Sequence, residues 1–183
     1  MSTPAQQATS ALQTQLASGA LAGSWTLDPG RSTVTLRSKS MWGLAPVKGG
    51  FGEVSGRGAV SQAGEVTGRI EIASNSINTH LAKRDTHLRS ADFFLSDKYP
   101  VITFDLDRLS VTGDGVTAAG TLTVREISKQ LSFPATASVA GDGEVVLDAT
   151  VGVNRADFGM TWNQLGMASS HNTITIHAVF TRS

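Results

Sequence analysis

From Ser24 onward, apolar and polar residues alternate with a period of two. Val34 and Leu36 alternate with Thr33, Thr35 and Arg37. Val66, Ile70 and Ile72 alternate with Thr67, Arg69 and Glu71, and Ile102, Phe104 and Leu106 with Thr103, Asp105 and Asp107. The pattern returns at Val116, Leu122 and Val124, at Val145, Leu147, Val151 and Val153, and at Ile174, Ile176 and Phe180. Such alternation predicts strands with one buried and one wet face. Threonine is common on the wet face because its branched Cβ suits a pleated strand. Turn signals fall between the runs, at Asp28-Pro29-Gly30, Gly49-Gly50, Gly113-Asp114-Gly115 and Gly141-Asp142-Gly143. Short strands joined by such turns predict an antiparallel meander. A long one-sided sheet must fold over itself or close, and closure also removes its exposed edges. The expected fold is all-β, an antiparallel barrel of about eight strands with room for one small ligand.

Two segments depart from this period. Thr3-Pro4 reads as an N-cap and a first-turn proline, with Ala5, Ala8, Leu12 and Leu16 at helical spacing and Gly19 as the stop. The helix is either a loosely docked extension or a plug or regulatory flap. The second departure is a short helical insert around Lys83 to Ser90, inside the stretch from Ser76 to Phe104. It reads as a lid or corner over a cavity. The organisation expected is a helical extension over residues 1–23 and a barrel domain over 24–183.

The chain has 183 residues, 40% of them hydrophobic and 16% charged, which suits one folded domain. Its net charge is zero and no basic stripe stands out, which argues against nucleic acid and against an electrostatic membrane anchor. The absence of cysteine excludes disulfides, thiol catalysis and cysteine-ligated zinc. Met1 to Gly23 holds no Lys or Arg and no apolar run of the signal-peptide kind, and no segment approaches a membrane span, so a cytoplasmic protein without stable membrane insertion is expected.

One block carries a resemblance. Arg84-Asp85-Thr86-His87-Leu88-Arg89-Ser90 is followed by Asp92-Phe93-Phe94, Tyr99-Pro100 and Phe104. Around it stand Trp25-Thr26-Leu27-Asp28, Gly50-Phe51 with Gly56, Gly120-Thr121-Leu122-Thr123-Val124, and Arg155-Ala156-Asp157-Phe158-Gly159-Met160. From about Trp25 to Phe180 the chain resembles the YceI-like family, lipocalin-like proteins associated with polyisoprenoids and other long apolar molecules. Family members often carry His at the positions of Arg31 and near Lys39, and Gly at that of Glu126. The resemblance implies a lipocalin-like barrel that binds, stores or transports an isoprenoid quinone or polyprenyl lipid, with no other cofactor.

Within that frame the expected ligand-binding residues are Val34, Leu36, Trp42, Phe51, Phe93, Phe104, Leu106, Leu122, Phe133, Phe158, Met160 and Trp162 along the lumen, with Arg84, His87 and Arg155 at a polar mouth. The other reading of the apolar set is a solid core. Burial of about twenty carbons at about 0.8 kcal/mol each has a gross gain of order 16 kcal/mol, much of it offset by ordering and association. Arg84 or His87 would meet a head group. The structural alternative is an ion-paired corner, with Asp85 four residues before Arg89 and Arg155 bridged to Asp157. A further alternative is a non-binding interaction barrel that forms a homodimer, and a more remote one is a hydrolase or metal-dependent enzyme using His87 and Asp85. The spacing matches neither HExxH nor GxSxG, so no enzyme and no metal are expected. The apolar loop from Met41 to Pro46 reads as a lid, a dimer contact or a membrane-touching loop.

Overall fold

The computed structural model describes residues 2–113, 115–141 and 143–183. Asp114 and Asp142, the centres of two expected turns, lie outside the described residues. The chain opens with helix α1 (Pro4–Ala17). Thr3 and Gln6 form a reciprocal capping box, the Gln6 N–H donating to Thr3 Oγ1 at 3.3 Å and the Thr3 N–H to Gln6 Oε1 at 2.9 Å. Leu12 and Leu16 bury against the barrel, Leu12 to 2% exposure. Ala5, expected on that face, is exposed, and Thr9 is buried in its stead, its hydroxyl donating to the Ala5 carbonyl at 2.9 Å.

The strands follow: β1 (Gly23–Leu27), β2 (Thr33–Ser40), β3 (Ala45–Phe51), β4 (Val54–Val60), β5 (Val66–Ala73) and the short β6 (Ile77–Asn78). Helix α2 (Ala82–Arg89) is the insert. After it come β7 (Val101–Thr112), β8 (Gly115–Val124), β9 (Ile127–Ala140), β10 (Glu144–Asn154) and β11 (His171–Arg182). All pairings are antiparallel. β1 pairs with both β4 and β11, Trp25 standing opposite Gly58 on one side and Arg182 on the other, and this closes the sheet. β2 continues along the same edge of β11, Val34 opposite Ile176, so β1 and β2 are two halves of one wall strand. β3 and β4 are likewise halves of the next. The result is a closed barrel of eight wall strands, the fold the alternation implied. No helix among the described residues is long and apolar enough to cross a membrane.

Two glycine positions correct or refine the sequence reading. Gly49-Gly50 is not a turn. Both residues lie inside β3, and a Cβ at Gly49 would come within 2.7 Å of the Asn78 carbonyl oxygen, so glycine is there for close strand approach. The turn itself is Met41–Leu44. Gly120 sits opposite Leu106, next to a bulge between Leu106 and Arg108, where a Cβ would collide with the Asp105 carbonyl oxygen and come 2.9 Å from the Phe104 ring. The bulge flips the inward parity of β7, which runs through Phe104 and Leu106 and then resumes at Leu109 and Val111.

Candidate functional site

The barrel is not packed solid. A cavity of about 360 Å³ occupies the end nearer α2, and a smaller one of about 120 Å³ lies toward α1. The larger falls within the size range of small-molecule sites, roughly 300–1,000 Å³. Ile70, Phe104, Phe133 and Ile176 border both. Leu12, Leu16 and Leu21 line the smaller cavity at the far end, where the Trp25 indole N–H donates to the Leu21 carbonyl at 3.0 Å.

Most of the expected lining surrounds the larger cavity: Val34, Leu36, Phe51, Arg84, His87, Phe93, Phe104, Leu122, Phe133, Arg155, Phe158, Met160 and Trp162. Leu106 borders the smaller cavity instead, because it lies on the α1 side of Phe104. Trp42 borders neither. It sits in the β2–β3 turn at 66% exposure, its indole N–H donating to the Leu165 carbonyl at 3.0 Å. The strand parity that carries Leu36 inward does not extend into a turn whose residues Met41 and Trp42 adopt φ of 51° and 56°.

Several lining residues were not in the sequence-derived set. Ile72, Val151, Val153 and Ile174 share the inward parity of their neighbours and were legible from it. Phe94 packs edge-on to Phe51 with centroids 5.9 Å apart. Lys39 has the parity of the exposed Arg37 and still borders the cavity, beside a position where relatives carry His, and Asn172 stands at the strand start without a sequence signal.

The mouth is polar and one-signed. Lys39, Arg84 and Arg155 border the cavity, and among the described residues no carboxylate does. Arg155 is 7% exposed. Its expected partner Asp157 is exposed and unused by it. The guanidinium donates instead to the carbonyls of Ser169 (3.0 Å), Met160 (2.5 Å) and Ala168 (3.2 Å), and stands 5.3 Å from the centre of the Phe93 ring. Burial lowers its pKa from the ordinary arginine value, and a guanidinium so lowered remains cationic at neutral pH. A fork of fixed donors suits three converging carbonyls better than it suits a single surface carboxylate, and the arrangement holds the 160–169 segment over the lumen.

The insert is stapled by hydrogen bonds and not by the expected helical ion pair. Asp85 is buried and accepts from the backbone N–H (2.9 Å) and hydroxyl of Thr79. Arg84 donates to Thr79 Oγ1 at 2.7 Å and to its carbonyl at 2.8 Å, and Arg89 donates to the Ile77 carbonyl at 2.8 Å. Asp85 therefore serves Thr79, not Arg89. His87 is held by Asp92 at 2.7 Å and stands edge-on to Trp162 and Phe93, with centroids 4.5 and 5.1 Å away. Asp85 and His87 thus turn to different partners. Among the described residues no three His, Asp or Glu side chains gather as a metal would require.

Comparison with known proteins agrees with this geometry. The family model described as YceI-like domain matches residues 25–180. A UPF0312 protein of Staphylococcus aureus is 30% identical over 148 residues, 76% of this chain and 84% of that protein. Protein YceI of Escherichia coli is 37% identical over 73 residues, 40% of this chain and 38% of that protein. In fold, the chain is similar to BcnA of Burkholderia cenocepacia, with a TM-score of 0.74 at 19% identity over 84% of this chain and 98% of that one. It is also similar to a polyisoprenoid binding domain from Saccharophagus degradans, with a TM-score of 0.69 at 16% identity over 87% of this chain and 98% of that one. With its residues 25–180 matched and its barrel closed in the same way, the chain belongs to the YceI-like domain family.

Proposed function

We propose that the barrel binds an apolar, tail-bearing small molecule without chemical change, the tail in the larger cavity and the head among Arg84, His87 and Arg155. The observation that carries this reading is the cavity of about 360 Å³, walled by aliphatic and aromatic side chains and bordered at its mouth by cations alone among charged residues. Each buried CH₂ of a tail contributes about 0.8 kcal/mol, so affinity requires a dry, deep wall more than any particular polar contact. A head with a carbonyl or an anionic oxygen would accept from the arginines. The polyisoprenoid binding domain that shares the fold supports an isoprenoid quinone or polyprenyl lipid as the class. Storage or delivery of that molecule is the role we infer.

Native mass spectrometry of the protein from its own source, before and after organic extraction, tests the reading. A co-purifying mass lost on extraction is expected. A protein that arrives empty, and that takes up neither a quinone nor a polyprenyl lipid from solution, would remove the proposal.

A further inference from the structure

Beside the mouth, the structure leaves large apolar side chains in water. Trp42 is 66% exposed, Leu44 82% and Leu165 81%, with Met41 half exposed. They come from two segments that are tied together: Ser40 forms a β-bridge with Ala168, the Ser169 N–H donates to the Lys39 carbonyl at 3.0 Å, and the Trp42 indole donates to the Leu165 carbonyl. Lys39, Ser40, Met167, Ala168 and Ser169 border the larger cavity, so this knob adjoins its mouth.

Local backbone chemistry argues that the apolar character is not incidental. Met41, Trp42 and Leu165 adopt φ of 51°, 56° and 54°, the left-handed region. There Gly or Asn is the stable choice, and a bulky side chain costs roughly 1–2 kcal/mol. Burial within the domain does not offset that cost for Trp42 or Leu165. Charge gives the second argument. From Ser32 to Gly52 the chain carries Arg37, Lys39 and Lys48 and no Asp or Glu. Residues 158–170, on the other side of the knob, carry no charge at all. Arg37 stands directly opposite Lys48 across the β2–β3 pair, both exposed, an unfavourable placement of like charges. Among the described residues no carboxylate pairs with any of the three. The zero net charge of the chain hides this local excess.

An exposed tryptophan at the tip of a hairpin with cations along its sides matches the layering of an anionic lipid surface, with the indole at the headgroup level and the cations over the phosphates. We propose that the β2–β3 hairpin and the 162–168 segment form a peripheral docking surface for an anionic bilayer, which sets the mouth of the barrel against the lipid. Docking of this kind is shallow and reversible and needs no inserted helix. It stands whether or not the lumen holds the class of molecule proposed above.

The test is co-sedimentation of the protein with vesicles of phosphatidylcholine alone or of phosphatidylcholine mixed with phosphatidylglycerol. Binding to the anionic vesicles is expected, weakening as salt rises. Trp42→Ser with Leu165→Ser should reduce it by at least about tenfold, and Arg37→Gln and Lys48→Gln by about fivefold each. None of these residues borders the cavity, so circular dichroism and uptake of N-phenyl-1-naphthylamine by the lumen should be unchanged. Loss of vesicle binding with dye uptake intact supports the surface. Vesicle binding by a protein that takes up no dye also supports it, and counts only against the lumen. A protein that stays in the supernatant with anionic vesicles overturns the proposal, as does binding indifferent to Trp42 and Leu165. A dimer in sedimentation velocity that Trp42→Ser dissociates overturns it too, because the knob would then be the seat of a second copy.

Discussion

The rings of Phe104 on β7 and Phe133 on β9 meet over the intervening β8, centroids 5.5 Å apart and planes inclined at 46°, and both border the two cavities. Each comes from an inward position of its strand, and empty space lies on both sides. Phe133→Ala should therefore join the cavities at a cost near the low end of the roughly 3–5 kcal/mol for a buried Phe→Ala change. In calorimetry with alkyl ligands of rising length, the wild type should stop gaining affinity at a shorter chain than the variant does.

Leu122 faces the larger cavity from β8, opposite Phe104 in the strand pairing. A hollow lumen can accept a bigger side chain there. Leu122→Trp should keep the melting temperature within a few degrees and abolish uptake of an apolar fluorophore. A variant that unfolds would show that the space is not accessible to a side chain of that size.

Arg155 holds three carbonyls of the 160–169 segment. Arg155→Met leaves those acceptors without their donor, and each buried acceptor so orphaned costs about 1–3 kcal/mol. Thermal melts should drop clearly, and Arg155→Lys should not restore them, since an ammonium cannot reproduce the planar fork. Ligand competition should show in addition a loss of preference for anionic over neutral heads.

Leu12 on α1 is buried against the barrel end. Leu12→Asp would place an unpaired charge there, and the helix should leave its seat. Trp25, bound to Leu21 and lining the cavity beneath, reports the event. Its fluorescence should shift to the red and become accessible to quenchers while the β-sheet circular dichroism signal persists.

Asp28 accepts from Arg31, which holds its carboxyl below the usual carboxylate range, with a further contribution from the Gly30 N–H. Because the folded pKa is depressed, the stabilisation is present above the unfolded value, about 3.9, and is lost as pH falls through the lower folded value. The pair is solvent-exposed, so the effect is small. Urea midpoints of the wild type and Asp28→Asn should differ at neutral pH and converge in acid.

The barrel was legible because a closed antiparallel wall imposes a strict two-residue period, and Val34, Phe104, Leu122 and Ile174 obey it. What escaped the sequence did so where that period breaks. The bulge after Leu106 moves inward parity from even to odd positions, and the loss of parity at Met41 sent Trp42 outward when an aromatic residue beside a strand suggested the lumen. Gly49-Gly50 looked like a turn because glycine signals both turns and close backbone approach, and only the Asn78 carbonyl tells them apart. The charged residues were the least legible. Asp85 and Arg155 chose backbone and hydroxyl partners distant from, or unrelated to, the helical and local spacings that suggested Arg89 and Asp157, since an ion's best partner inside a fold is set by tertiary approach.

Leu12 and Leu16 of α1 pack against one end of the lumen, and the arginines stand at the other. A tail that enters past the arginines goes in first and comes out last, with its head nearest a recipient.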